Sequence, residues 1–93
     1  MLQDVFRALS DPTRRRILQL LGRRTMSAGE LAAHFPLTKS TLSSHFSVLK
    51  KAGLIYEEKS GTTVNYSLNM TVLEEAVALF MNVFKTGGGK GES

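Results

Sequence analysis

Between Thr38 and Lys51 the chain reads TKSTLSSHFSVLKK, and its hydroxyl groups are the residues best placed to do chemistry. At helical period, Leu42, Phe46 and Leu49 fall at i, i+4 and i+7 and form one apolar stripe. The other side offers Lys39, Ser40, Ser43, Ser44 and Ser47, with Thr41 and His45 at its margins. A solvated helix face ordinarily carries Glu and Lys, which form helices better than Ser. Here it carries short donor–acceptor side chains and no carboxylate. Such groups let a helix approach a base-pair edge or a phosphate closely, whereas Glu would be repelled by the polyanion. The stretch therefore reads as a recognition helix for duplex DNA.

The segment before it must hold it in place. Ser27 and Glu30 have the spacing of a capping box. Leu31, Ala32 and Phe35 supply an inner face, with the small Ala32 where two helices cross. Pro36 stops this helix, Leu37 tucks inside the turn, and Thr38 caps the recognition helix. Helix, short turn, helix is the DNA-binding supersecondary unit.

Upstream, Leu2, Val5, Phe6 and Leu9 space as a short amphipathic helix. Asp11 as N-cap and Pro12 as first helical residue restart the chain. Ile17, Leu18, Leu20 and Leu21 point inward from this second helix, and Gly22 is expected to supply a left-handed stop. The run Arg14-Arg15-Arg16 cannot point one way on a helix. Pairing with an acid such as Asp11, solvation, and phosphate contact are its alternatives.

Downstream, Gly53 closes the recognition helix and the period changes to two. Tyr56, Val64, Tyr66 and Leu68 alternate with Glu57, Asn65 and Ser67, giving a β-hairpin with Ser60-Gly61 as its turn. A hairpin directly after a recognition helix is a wing, and Lys59 is the charge its tip could bring to a groove or a flanking phosphate. Glu57 and Glu58 must then face away from DNA. Covering the core is the plainer role for the same hairpin. The last helix spans Asn69 to Lys85, with Thr71 and Glu74 as a second capping box. Its apolar residues cover most of its circumference, more than a small core can bury. A homodimer interface of Leu73, Val77, Phe80 and Phe84 with Leu2, Val5, Phe6 and Leu9 is the expected solution. Residues 86–93, TGGGKGES, read as a disordered tail after a DNA-binding and dimerisation domain at 1–85.

Ninety-three residues with 42% hydrophobic content suffice for one modest core. The chain has net charge +4, and between Pro12 and Tyr56 its sole acid is Glu30, against Arg14, Arg15, Arg16, Arg23, Arg24, Lys39, Lys50 and Lys51. A basic middle with acidic flanks suits a polyanionic partner. No signal peptide and no apolar run near 18 residues is visible, so a cytoplasmic protein is expected, neither secreted nor membrane-spanning. Zero cysteines exclude disulfides and thiolate chemistry. His34 and His45 are the only histidines, fall on different helices, and are too few for a metal site. Glu74 and Glu75 are adjacent and diverge on a helix. With no nucleophile–base set and no phosphate loop, neither an enzyme nor a cofactor is expected.

The pieces LSDPTRRRILQLL, TKSTLSSHFSVLKKAGLI and the Gly-containing hairpin ending in YSL resemble the small winged-helix repressors of the bacterial arsenic-repressor-type (ArsR) family, over residues 1–85. Within it the chain is most similar to an autorepressor branch without metal ligands. The resemblance implies a mainly α fold with a small β-hairpin, a winged helix-turn-helix of five helices plus wing. It implies a homodimeric repressor on a palindromic operator. It places base and phosphate contacts on Lys39, Ser40, Thr41, Ser43 and Ser44, with His45 beside them. The family's wing tip often has a basic residue just after the Gly, where this chain has Thr62. Metal-sensing relatives use a Cys-x-Cys pair before the turn or His and Asp in the terminal helix. Here the first place reads Ala28-Gly29-Glu30-Leu31, and the terminal helix has no His. The resemblance then implies release by protein abundance or by a sequestering protein partner. The competing reading is a winged-helix protein-interaction module without a DNA ligand, which the same fold allows. RNA is disfavoured, because single-strand readers stack bases on aromatic residues that this helix face lacks.

Overall fold

In the computed structural model, which describes residues 2–85, the chain runs α1 (Leu2–Leu9), α2 (Pro12–Leu21), β1 (Met26–Ser27), α3 (Ala28–Ala32), α4 (Lys39–Lys51), β2 (Ile55–Ser60), β3 (Thr63–Leu68) and α5 (Met70–Phe84). This is the winged helix-turn-helix, with five helices and a hairpin wing. The expected tail at 86–93 lies outside the described residues.

Short-range chemistry sets most of the boundaries. The Asp11 carboxylate accepts from the backbone N–H of Thr13 at 2.8 Å and of Arg14 at 3.1 Å, and Pro12 sits where no helical N–H is needed. The capping box of α3 is closed both ways: Glu30 N–H donates to Ser27 Oγ at 3.0 Å, and Ser27 N–H to Glu30 Oε1 at 2.9 Å. Thr38 Oγ1 caps α4 by accepting from Thr41 N–H.

At the other end of α4, Gly53 N–H donates to the Lys50 carbonyl and Leu54 N–H to that of Leu49. That is the Schellman pattern, and it needs a left-handed residue, which Gly53 supplies with φ +77°. Leu49 and Leu54 are both fully buried beside it. Gly53→Ala should therefore cost about 1–2 kcal/mol, because a Cβ is disfavoured in that conformation. A Cβ there would meet Val72 at an ordinary 3.8 Å, so the loss in a denaturant titration would be backbone strain rather than a clash.

Several details differ from expectation. Gly22 is right-handed (φ −64°, ψ −19°), so α2 ends without a left-handed residue. Helix α3 stops at Ala32, well before Pro36; the N–H groups of His34 and Phe35 turn to the carbonyls of Leu31 and Ala32, a tightening that still lays Phe35 against the core. Leu37 is 38% exposed rather than tucked in. Asn69, not Thr71, caps α5, and its own N–H is anchored on the Leu54 carbonyl at 2.8 Å.

The wing is a three-stranded antiparallel sheet in the order β1-β3-β2, with Met26 opposite Tyr66. In the β2–β3 register Ile55 faces Leu68 and Glu57 faces Tyr66, so Tyr56 lies on the outer face, opposite Ser67, and is 58% exposed. A shift of one residue exchanges faces, and Ile55 rather than Tyr56 takes the inner one. Ser60 pairs with Thr63, so the two-residue turn is Gly61-Thr62 and not Ser60-Gly61. Gly61 has φ +62° and Thr62 does not share a positive φ, which is the II′ pattern that matches strand twist.

The core gathers where α1, α2, α3, α4 and the root of the wing meet. Val5, Ile17, Leu31, Leu49 and Leu54 are its largest fully buried side chains. Phe46 of α4 packs on Tyr66 of β3 with ring centroids 4.5 Å apart, fixing the recognition helix against the sheet.

Candidate nucleic-acid interface

Leu42, Phe46 and Leu49 bury the inner stripe of α4, as expected. Their burial turns Lys39, Ser40, Thr41, Ser43, Ser44 and Ser47 outward, all exposed. Three of these hydroxyls are engaged locally: Thr41 Oγ1 accepts from Thr38 Oγ1 at 2.9 Å, Ser40 Oγ lies 3.4 Å from the same Thr38 Oγ1, and Ser44 Oγ donates to the Ser40 carbonyl at 3.2 Å. Among the described residues Lys39 and Ser43 have no protein partner and both border a shallow groove against α3, lined by Ala28, Gly29, Ala32 and Phe46. Small side chains on α3 keep that groove open, so a ligand could approach the first two turns of α4 closely.

His45 is placed differently from its neighbours. Its side chain is 15% exposed, and Nδ1 lies 3.1 Å from Arg14 Nη1 and 3.9 Å from Asp11 Oδ2. That nitrogen faces α2 and not the solvent side of α4. The arginine run is likewise mostly spoken for. Arg14 donates from Nε to the Ala8 carbonyl and from Nη2 to the Arg7 carbonyl, both at 2.9 Å, and Arg15 Nη1 donates to the Leu9 carbonyl. These carbonyls end α1, where among the described residues only that of Arg7 also accepts from Ser10 N–H at 3.2 Å and Ser10 Oγ at 2.7 Å, and a cation there interacts favourably with the negative end of the helix dipole. Arg16 donates to Gln19. Nothing in the sequence pointed to the contacts of Arg14 and Arg15, because they join residues six or more apart through one side chain.

Glu30, the acid of the basic region, and Asp11 and Glu57 at its two borders are held by the protein itself. Glu30 is committed to its capping box and to Arg24, 3.4 Å away. The Ser27 N–H chiefly holds its carboxyl below the usual range. Glu57 is tied to Lys50 and accepts from the Tyr66 hydroxyl at 3.2 Å. The Lys50 hydrogen bond is the main reason its carboxyl is lowered. Burial of Asp11 acts to raise its pKa, but the N–H donors of Arg14 and Thr13 outweigh that, and the net shift is downward. Glu57 therefore faces Lys50 and the core side of the wing, leaving Lys59 and Thr62 exposed toward the tip.

Burial, then the Glu57 charge and hydrogen bond, push the Tyr66 hydroxyl up to about 12 from 10.0. An unfolded Tyr loses its proton from about pH 10 upward while the folded one keeps it, so stability is full below pH 10 and falls as pH rises toward 12. A urea midpoint followed across that window should decline, and Tyr66→Phe should remove this part of the decline.

An exposed apolar face lies on α5 and α1. Phe6, Val77, Leu79, Phe80, Met81, Val83 and Phe84 are all more than two-fifths exposed. Phe6 and Phe80 meet edge to face at 5.9 Å, and Phe80 and Phe84 at 5.0 Å, one aromatic ladder across α1 and α5. Leu2, Leu9 and Leu73 are half-buried at its edge. Val5 departs from expectation: at 1% exposure it belongs to the chain's own core, so no partner can reach it.

Helix-turn-helix, wing and outward serine face together define a DNA-binding regulator by class. The chain matches the family model described as a helix-turn-helix domain over residues 9–58. It is 42% identical over 86 residues to the transcriptional repressor SdpR of Bacillus subtilis, covering 92% of this chain and 96% of that protein. Among solved structures it superposes on an ArsR-like transcriptional regulator from Rhodococcus sp. RHA1 with TM-score 0.84 and 30% identity, over 96% of this chain and 84% of that one. A possible transcriptional regulator for arsenical resistance gives TM-score 0.77 and 38% identity, over 84% of this chain and 81% of that one. The chain belongs to the ArsR family of winged helix-turn-helix transcriptional regulators.

Proposed function

We propose that two copies of this chain form a dimer that represses transcription by binding a palindromic operator in the cytoplasm, and that the chain is a regulator and no enzyme. The observation that carries this is the pairing of two exposed surfaces of opposite character: a serine face without carboxylates on α4, and an apolar face on α5 and α1. In this reading the dimer axis sets two α4 helices into successive major grooves, with half-sites about 10 bp apart or a multiple of that. Lys39 and Ser40, in the first turn of α4, meet phosphates or base edges first. Ser43 reads deeper, with Thr41, Ser44 and the outer edge of His45 flanking it. Lys59 and Thr62 of the wing reach the flanking backbone. Among the described residues no helix is long and apolar enough to cross a membrane. Release by a sequestering protein partner belongs to the same reading.

Gel-shift titration at two salt concentrations tests the reading. The wild-type chain should retard duplex DNA, more weakly at the higher salt. Lys39→Ala should weaken binding to every sequence and reduce the slope of log affinity against log salt by about one. Unchanged affinity at both salts would remove Lys39 from the interface. A protein-interaction module would leave DNA unretarded at either salt.

A further inference from the structure

Arg14 joins three elements through one guanidinium. Nε and Nη2 hold the carbonyls of Ala8 and Arg7 at the end of α1, and Nη1 lies 3.1 Å from His45 Nδ1 in the middle of α4. An arginine can only donate, so His45 Nδ1 must be the acceptor and the neutral ring carries its proton on Nε2. The Asp11 carboxylate, held by two backbone N–H groups of α2, lies 3.9 Å from the same Nδ1 and bears on the junction through its attraction to the Arg14 guanidinium. Arg14 is half-buried, and its backbone is fixed by the same cap. One end of α1 therefore reaches the helix facing the ligand through a planar fork, which a Lys could not reproduce.

We propose that Arg14 is a positioning residue that transmits the geometry of the dimer interface to the recognition helix. The inference rests on the dimeric-operator reading, because α1 carries Phe6 and Leu9 into the proposed interface. Its orientation relative to α4 then sets the distance and rotation between the two recognition helices. The strut would thus govern how strictly the dimer demands one spacing between half-sites. Base contacts by themselves do not impose that demand; a rigid connection between the two reading heads does.

The test compares the selected operator with one carrying an extra base pair between half-sites, which rotates one half-site by about a tenth of a turn. The wild-type protein should lose about tenfold or more in affinity on insertion, comparable to one or more mismatched base pairs. Arg14→Met keeps the side chain's apolar stem but none of its donors. Its insertion penalty should shrink to within about threefold, a relaxed spacing in place of the rigid docking that the two-fold geometry requires. Dimer mass by light scattering should stay the same. Arg14→Lys should relax the spacing as Met does; if Lys restores the wild-type penalty, charge alone suffices and the proposal is wrong. His45→Leu breaks just the last bond of the strut and keeps the α1 cap, so it remains informative if the Arg14 variants fold poorly, and it should relax the spacing too. A wild-type penalty retained in Arg14→Met or in His45→Leu would overturn the proposal while leaving DNA binding intact. A wild-type protein indifferent to the insertion would instead overturn the dimeric-operator reading, and this inference with it.

Discussion

Ser43→Glu is expected to abolish high-affinity DNA binding without harming the fold. Ser43 is exposed, has no protein partner among the described residues, and lies in the middle of α4, where Glu is the better helix former. Stability in a denaturant titration should therefore be unchanged or slightly raised. Against a duplex, however, the new carboxylate would face phosphates or base-edge acceptors while losing its water. An unpaired charge forced into such a contact costs on the order of 3 kcal/mol or more, at least about a hundredfold in affinity. Ser43→Ala, which removes one hydrogen bond, should cost far less, about 1 kcal/mol. Equal affinity of the Glu variant and the wild type in a gel shift would take the serine face out of the interface.

Phe80→Glu is expected to convert the dimer to monomers and with it to lose most of the operator affinity. Phe80 stands at the centre of the aromatic ladder, touching Phe6 and Phe84, yet is 48% exposed in the single chain. Its ring is therefore only half used by the chain's own packing. The wide apolar arc of α5, on which Ala76 is the fully buried residue, asks for a cover that the monomer does not provide. A carboxylate at this point would be buried unpaired on both sides of a two-fold interface. Losing the dimer removes the second half-site from each binding event, a change worth about 10²–10⁴ in affinity. Sedimentation should show the monomer mass, and binding should persist at the weak non-specific level. A retained dimer mass would place the interface elsewhere.

What the sequence made legible is what neighbouring residues determine among themselves. Asp11-Pro12, Ser27 with Glu30, and Thr38 each satisfy backbone N–H groups within three residues, so those caps could be read directly. The Leu42, Phe46, Leu49 stripe fixed both the buried and the open face of α4, and the change of period after Gly53 revealed the wing. Misreadings arose where a distant partner intervened. Asn69 rather than Thr71 caps α5 because its N–H is anchored on Leu54, fifteen positions earlier in the chain. Strand β1 is two residues long and exists through its pairing with β3, so it has no alternation to detect. The wing's inner face belongs to Ile55 and Glu57 because the register with β3 places them opposite Leu68 and Tyr66. For the arginine run, spacing left acid pairing, solvation and phosphate contact open; it did not show that Arg14 and Arg15 donate to the carbonyls at the end of α1, nor that His45 is turned toward Arg14. Such contacts depend on how α1 and α4 pack, which spacing along one helix does not encode.

Selection of bound duplexes from random DNA by the full chain examines the central claim most directly. If two serine-lined α4 helices enter successive major grooves about a dimer axis, the recovered sequences should share an inverted repeat whose halves lie about 10 bp apart or at a multiple of it. Recovered sequences with no enrichment over the starting pool, or with one unrepeated motif, would contradict it.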